Sequence, residues 1–122
     1  LVSSFVGINN LYLRVKSLDR VFLVENTKAT TWKDEVLDML NKEGINIEYA
    51  SKIIQRESWW QADNKHKNKD GTLDRGLWMF NSYFHSEVSN GCSYDYRCAT
   101  KEAIRIIKTK GWSEWTASKY IK

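Results

Sequence analysis

A chain of 122 residues, 42% of them apolar, has the size of one folded domain burying about two-thirds of its unfolded surface, and is too apolar for disorder. No apolar run approaches the length of a membrane-spanning helix. Against 15 Asp and Glu, the 19 Lys and Arg leave a net charge of +4, but they are scattered along the chain. That favours approach to a polyanionic surface and lacks the clustered basic face of a nucleic-acid binder.

The chain starts without Met and without a signal-peptide pattern, as expected of a mature or excised piece whose address lies upstream. Residues 1–31 support two readings. Leu11, Val15, Leu18 and Phe22 recur at helical spacing, yet LYLRV and RVFLVE are also β-rich runs. The second reading gives an extended or hairpin-like N-terminal extension over 1–31, ending in the polar linker ENTKATT and packing on a domain that fills 32–122. A helix is expected to start near Trp32, with Thr31 as cap and Asp34 and Glu35 complementing the dipole. Val36, Leu37 and Leu40 make its apolar stripe, and Gly44 suits its left-handed stop.

A second helix is expected from Asn46, a capping residue, with Glu48 in the first turn and Ile47, Ala50, Ile53 and Ile54 as its buried face. Glu57 lies three residues after Ile54 and seven after Ala50, which puts it on or beside that face. A charge is expensive to bury there. Two explanations stay open: an ion pair with a neighbouring helix, or an acid kept protonated by desolvation, as general-acid catalysis near neutral pH requires.

QADNKHKNKDGTLD follows, and its Asn, Asp and Gly order reads as a loop or short hairpin. A calcium loop in register with Asn68, Asp70, Gly71 and Asp74 fails at both ends, where His66 and Leu77 replace the required ligands. No metal or cofactor is expected. Then comes the aromatic run GLWMFNSY. The chain holds 6 Trp, a residue that serves cores and also stacks on sugar faces. Cys92 and Cys98 have five residues between them and can close a small disulfide loop, which would imply an oxidising compartment. The alternative is two reduced, buried thiols. A further helix is expected from Thr100 to Lys110, with Ala103, Ile104 and Ile107 inward and Gly111 as stop. Ser113 can cap a last short helix over 114–120.

Three segments together resemble the lysozyme superfamily, which includes c-type lysozymes and lytic-transglycosylase-like domains. They are Glu57-Ser58 at a helix end, Asp70-Gly71-Thr72-Leu73-Asp74-Arg75-Gly76 where the family has a DGSxDxG-like turn, and Gly76-Leu77-Trp78-Met79-Phe80-Asn81-Ser82 where it has a GLxQIN-like run. The spacing of Glu57 and Asp74 matches that of the two c-type catalytic carboxylates, and the tail ATKEAIRIIKTKGWSEWTA looks like the helix plus GWxxW ending of transglycosylase-like domains. The likeness covers residues 50–117. Met79 departs from it, standing where the family has Gln, and the two cysteines do not reproduce the c-type disulfide framework.

The resemblance implies a mostly α, α+β lysozyme-like fold with a small β-hairpin beside a cleft. It implies cleavage of peptidoglycan strands outside the cytoplasm, by a secreted, envelope-associated or virion-associated protein that can be part of a larger one. Glu57 would be the general acid and Asp74 the ionised partner. The outcome would be hydrolysis or, without need of the second carboxylate, transglycosylation; Met79 motivates the further alternative of a glycan-binding module that does not cut. Trp78, Asn81 and Tyr83 would line the cleft. Trp59, Trp60 and Trp112 stay between cleft and core, with Trp59 and Trp112 carried as substrate-binding candidates.

Overall fold

The structure, a computed structural model, describes residues 31–122. The reading of residues 1–30 as an extended start and linker lies outside the described residues. Four α-helices, three short strands and a final 3-10 helix follow one another: α1 (Trp32–Lys42), α2 (Ile47–Ser58), β1 (Lys65–Lys67), β2 (Leu73–Arg75), β3 (Phe80–Asn81), α3 (Asn90–Ser93), α4 (Tyr96–Lys110) and Thr116–Tyr120. The result is a mostly α, α+β domain with one small sheet, as expected.

The helix signals act largely as the sequence suggests. In α1, Val36 and Leu40 are buried, and the helix stops at Gly44, whose φ is 75°. The Ile45 N–H reaches the Leu40 carbonyl at 3.1 Å and the Gly44 N–H that of Asn41 at 3.0 Å, the paired bonds that satisfy a helix C-terminus. In α2, the Asn46 side chain accepts from the Tyr49 N–H at 2.9 Å, and Ala50, Ile53, Ile54 and Ser58 are buried. Ile47 was expected with them but stays 39% exposed. It is the first helical residue, and helical side chains lean towards the N-terminus, so it projects past the packed face.

The helix read as starting at Thr100 starts at Tyr96 instead. Asp95 is its cap, accepting from the Arg97 and Cys98 N–H groups, while Thr100 is fully buried inside the helix. The buried stripe is Ala99, Thr100, Ala103 and Ile106; Ile104 and Ile107 pack at its margin. Cys92 and Cys98 are joined by a disulfide that ties α3 to the first turn of α4. Closing so short a loop contributes about 2 kcal/mol on the chain-entropy account. The expected Ser113-capped helix is a 3-10 turn that begins after Trp115 with no side-chain cap.

The polar segment folds into the small hairpin foreseen. β1 pairs antiparallel with β2, and β2 with β3, in the order β1-β2-β3. The 68–72 turn is closed by the Asp70 carboxylate, which accepts from the Thr72 N–H at 2.9 Å and from its hydroxyl at 2.7 Å. These two donors hold the Asp70 carboxyl below its usual range, hydroxyl first.

Two residues lock the sheet to the helices. Gly76 has φ of 80°, and a Cβ there would lie 1.7 Å from the Ser93 carbonyl oxygen, so no other residue fits without moving α3. Arg75 is buried, and its guanidinium donates to the Phe80 carbonyl at 3.0 Å, the His85 carbonyl at 3.2 Å and the Asn90 side-chain oxygen at 2.8 Å. One side chain thereby fixes β3, the turn after it and α3. Its removal would take this donor from the buried bonds to the Phe80 and His85 carbonyls, at a cost of about 1–3 kcal/mol each.

Candidate active site

A cleft of about 700 Å³ runs between the sheet and the helical part. Asp74, Asn81, Phe84 and His85 line it from the sheet side; Glu57, Glu114, Trp115 and Thr116 line it from the other. Glu57 and Asp74, the two acids picked out in the sequence, are thus brought to one site.

Glu57 sits in the last turn of α2, half-buried. The 3-10 helix begins without a side-chain cap, so its first N–H groups need partners. That of Ala117 donates to Glu57 Oε2 at 3.2 Å. Burial is the largest influence on this carboxyl and raises its pKa above the ordinary 4.5; the Ala117 N–H pulls the other way, and the Asp74 charge raises it again. Burial thus shifts the carboxyl towards its protonated form, the direction that the second of the two open explanations requires. No Lys or Arg is paired with Glu57 among the described residues.

Asp74 is held differently. It lies on β2, cross-strand from Asn81 on β3. The Asn81 amide donates to Asp74 Oδ1 at 2.9 Å and to the Thr72 hydroxyl at 3.0 Å. The amide oxygen accepts the Tyr83 and Phe84 N–H groups at 2.9 and 3.1 Å. Every polar atom of Asn81 is therefore engaged, its orientation is fixed, and it fixes the carboxylate in turn.

The aromatic candidates fare less well. Trp78 is fully buried, its indole N–H donating to the Thr100 hydroxyl at 3.1 Å and its ring packed on Trp115. It is a core residue, because the 76–79 turn points it between α4 and the tail, away from the cleft. Trp112 is half-buried between Tyr49 and Trp115, outside the cleft lining. Trp59 is 70% exposed at the left-handed end of α2, also outside it. Trp60 packs edge-on against Trp32. Tyr83 is 71% exposed and touches its neighbour Phe84, which lines the cleft in its place. Met79 does line the cleft, with φ of 52°, a left-handed conformation that costs an L-residue about 1–2 kcal/mol.

Phe84, His85 and Glu114 escaped the sequence reading. Nothing local marks them, since they join the site only through the turn after β3 and the turn before the 3-10 helix. Trp115 had a signal in the GWxxW tail. It is 4% exposed, donates its indole N–H to the Trp78 carbonyl at 2.9 Å, and forms an apolar wall of the cleft. Among the described residues no His, Cys, Asp and Glu are grouped to hold a metal ion, and no helix is long and apolar enough to cross a membrane.

Comparison with known proteins agrees with this geometry. A family model described as a lysozyme-like domain matches residues 42–117, more than half of the chain, spanning α2, the sheet, α4 and the Glu57-holding Ala117. No curated protein matches the chain.

Proposed function

Because the chain belongs to the lysozyme-like domain family, a class that acts on peptidoglycan as glycosidases or transglycosylases, we propose that it is a muramidase. It would hydrolyse the β-1,4 link between N-acetylmuramic acid and N-acetylglucosamine in peptidoglycan strands. The observation that carries this reading is the pairing, in one cleft, of a half-buried Glu57 with raised pKa and an Asp74 fixed by Asn81.

Glu57 Oε2 accepts from the Ala117 N–H, which favours the proton on Oε1. From there it passes to the glycosidic oxygen as the C1–O bond breaks and the electron pair leaves with that oxygen. Positive charge develops at C1 and the ring oxygen. The Asp74 carboxylate stabilises it, directly or as a covalent partner. Glu57, now ionised, takes a proton from water as water's oxygen bonds C1, breaking the C1–Asp74 bond where one has formed, and the acid is restored. This division of labour between two carboxylates follows the lysozyme pattern, and its magnitudes are not claimed as independent here. The substrate would place the protein outside the cytoplasm, where the Cys92–Cys98 disulfide is stable.

The second reading, lytic transglycosylation, draws on the GWxxW tail, which places Trp115 on the cleft. In it a hydroxyl of the sugar itself attacks C1, no water is added and an anhydro end forms. Mass spectrometry of products from purified peptidoglycan decides between them, since anhydro ends lack one water. Products from the native protein and none from Glu57→Gln support the acid assignment; undiminished clearing by that variant would sink it.

A further inference from the structure

The cleft holds a second polar group that the acid pair leaves unused. His85, in the turn after β3, comes from the sheet side, and Glu114, just before Trp115, from the helical side. His85 is 8% exposed, and its ring packs edge-on against Phe80, ring centroids 5.5 Å apart. Its Nε2 lies 3.4 Å from Glu114 Oε1, and its Nδ1 3.4 Å from Glu87 Oε2. Glu87 is held in turn by Arg105 of α4 at 3.2 Å.

Each ring nitrogen faces one carboxylate, Nδ1 that of Glu87, which Arg105 anchors to α4, and Nε2 that of Glu114, so a proton on Nε2 points an N–H at Glu114. Glu114 remains about a third exposed, lines the cleft, and has no partner besides His85 among the described residues, so its acceptor capacity is open. Glu114 lies across the cleft mouth from His85, and neither is held by Glu57 or Asp74. It belongs to the cleft without belonging to the acid pair.

We propose that Glu114 is a sugar-recognition residue oriented by His85. It accepts a hydroxyl or acetamido N–H of a glycan residue adjoining the cleaved link, and His85, clamped through Glu87 and Arg105, is its positioning residue. The proposal rests on the reading of this cleft as a glycan site. It makes the pair a determinant of affinity and register along the strand, separate from the chemical step.

The test uses the full chain carrying Glu57→Gln, so that binding is read without turnover, titrated with a linear N-acetylglucosamine oligomer by calorimetry. Adding Glu114→Ala is expected to weaken binding about tenfold, in line with loss of a hydrogen bond to a charged group, and Glu114→Gln to recover part of that loss. The chain has 2 His, so the His85 ring signals are readily told from those of His66 by NMR, and they are expected to shift on glycan addition. Unchanged affinity in the Glu114→Ala protein overturns the pair and leaves the cleft reading standing. Should that variant fail to fold, an unmoved His85 ring signal in the Glu57→Gln protein does the same. No affinity of the Glu57→Gln protein for the oligomer overturns both.

Discussion

Two glutamates on two helices meet opposite fates. Glu35, on α1, is clasped by α4: the Arg97 guanidinium contacts it at 2.6 and 3.1 Å, and the Tyr96 hydroxyl donates to it at 2.5 Å. Those partners, Arg97 first and Tyr96 second, hold its carboxyl below the ordinary 4.5. Glu57, on α2, has one weak backbone donor, an apolar surround and a nearby negative charge, and its carboxyl is held above that value. Both follow from one rule: donors and cations favour the ionised form, and burial and like charge favour the neutral one. Glu35 therefore serves packing between two helices, while burial shifts Glu57 towards its protonated form, the direction that the proposed acid role requires.

The sharpest break of this contrast is Glu57→Gln. Removing a general acid typically costs a factor of about 10²–10⁴ in rate, and kcat on peptidoglycan is expected to fall accordingly. Stability should move the other way. With its pKa raised in the folded state, Glu57 binds its proton more tightly there than when unfolded. Its contribution therefore becomes less favourable as pH rises from about 4.5 to the raised value, and is constant above it. Thermal melts should show Glu57→Gln at least as stable as the parent at pH 7, and no gain at pH well below 4.5. A variant less stable than the parent at pH 7 would contradict the stability half, and one that is folded and fully active would contradict the other.

Asp74→Asn comes next. Loss of one preorganised charge is expected to reduce kcat about a hundredfold, less than loss of the acid. Its more telling effect is on the pH profile. The Asp74 charge raises the Glu57 pKa, so removing it lets Glu57 ionise at lower pH. The alkaline limb of activity, which reports loss of the acid's proton, should move to lower pH. A transglycosylase, needing only Glu57, would show the shifted limb with little loss of rate.

Much of this contrast was legible in the sequence. Glu57 three residues past Ile54 placed a carboxylate beside a buried face, and Asn46 and Gly44 marked the ends that set that face. Asp70-Gly71 announced the hairpin that carries Asp74. What stayed hidden depends on tertiary placement. Trp78 reads as a cleft residue in the aromatic run, yet the Gly76 turn, pressed on Ser93, sends it into the core against Thr100. Thr100 itself reads as a cap, because nothing in the sequence says that the cap is Asp95 and that the Thr hydroxyl is needed inside. The Glu35–Arg97 clasp joins residues on α1 and α4 that no spacing rule connects.

On the other side of the comparison, Glu35→Gln is expected to leave cleavage untouched and to lower the melting temperature by a few degrees at most, since the pair is exposed. The sign again separates it from Glu57. A carboxylate with lowered folded pKa stabilises above its unfolded value and loses that contribution as pH falls. The deficit of Glu35→Gln should thus be present at pH 7 and fade as pH falls below 4.5, opposite to the pattern at Glu57. Equal melting curves at both pH values would mean that the clasp contributes nothing.

The smallest effect expected is that of Trp59→Gly, two residues from the acid. Trp59 ends α2 in a left-handed conformation, φ 57°, with its N–H bonded to the Gln55 carbonyl, a place that glycine takes at no steric cost. Its ring is 70% exposed and lies outside the cleft lining, so little packing is lost on truncation. The substitution is expected to change stability by no more than about 1 kcal/mol, towards greater stability, with glycan affinity unchanged. The sequence alone offered Trp59 as a sugar-stacking residue. A drop in affinity in Trp59→Gly, with melting unaffected, would restore that role and extend the binding surface past the end of α2. Unchanged affinity would confine recognition to the walls that meet at Glu57, and would explain an exposed tryptophan as the cap of the helix that positions the acid.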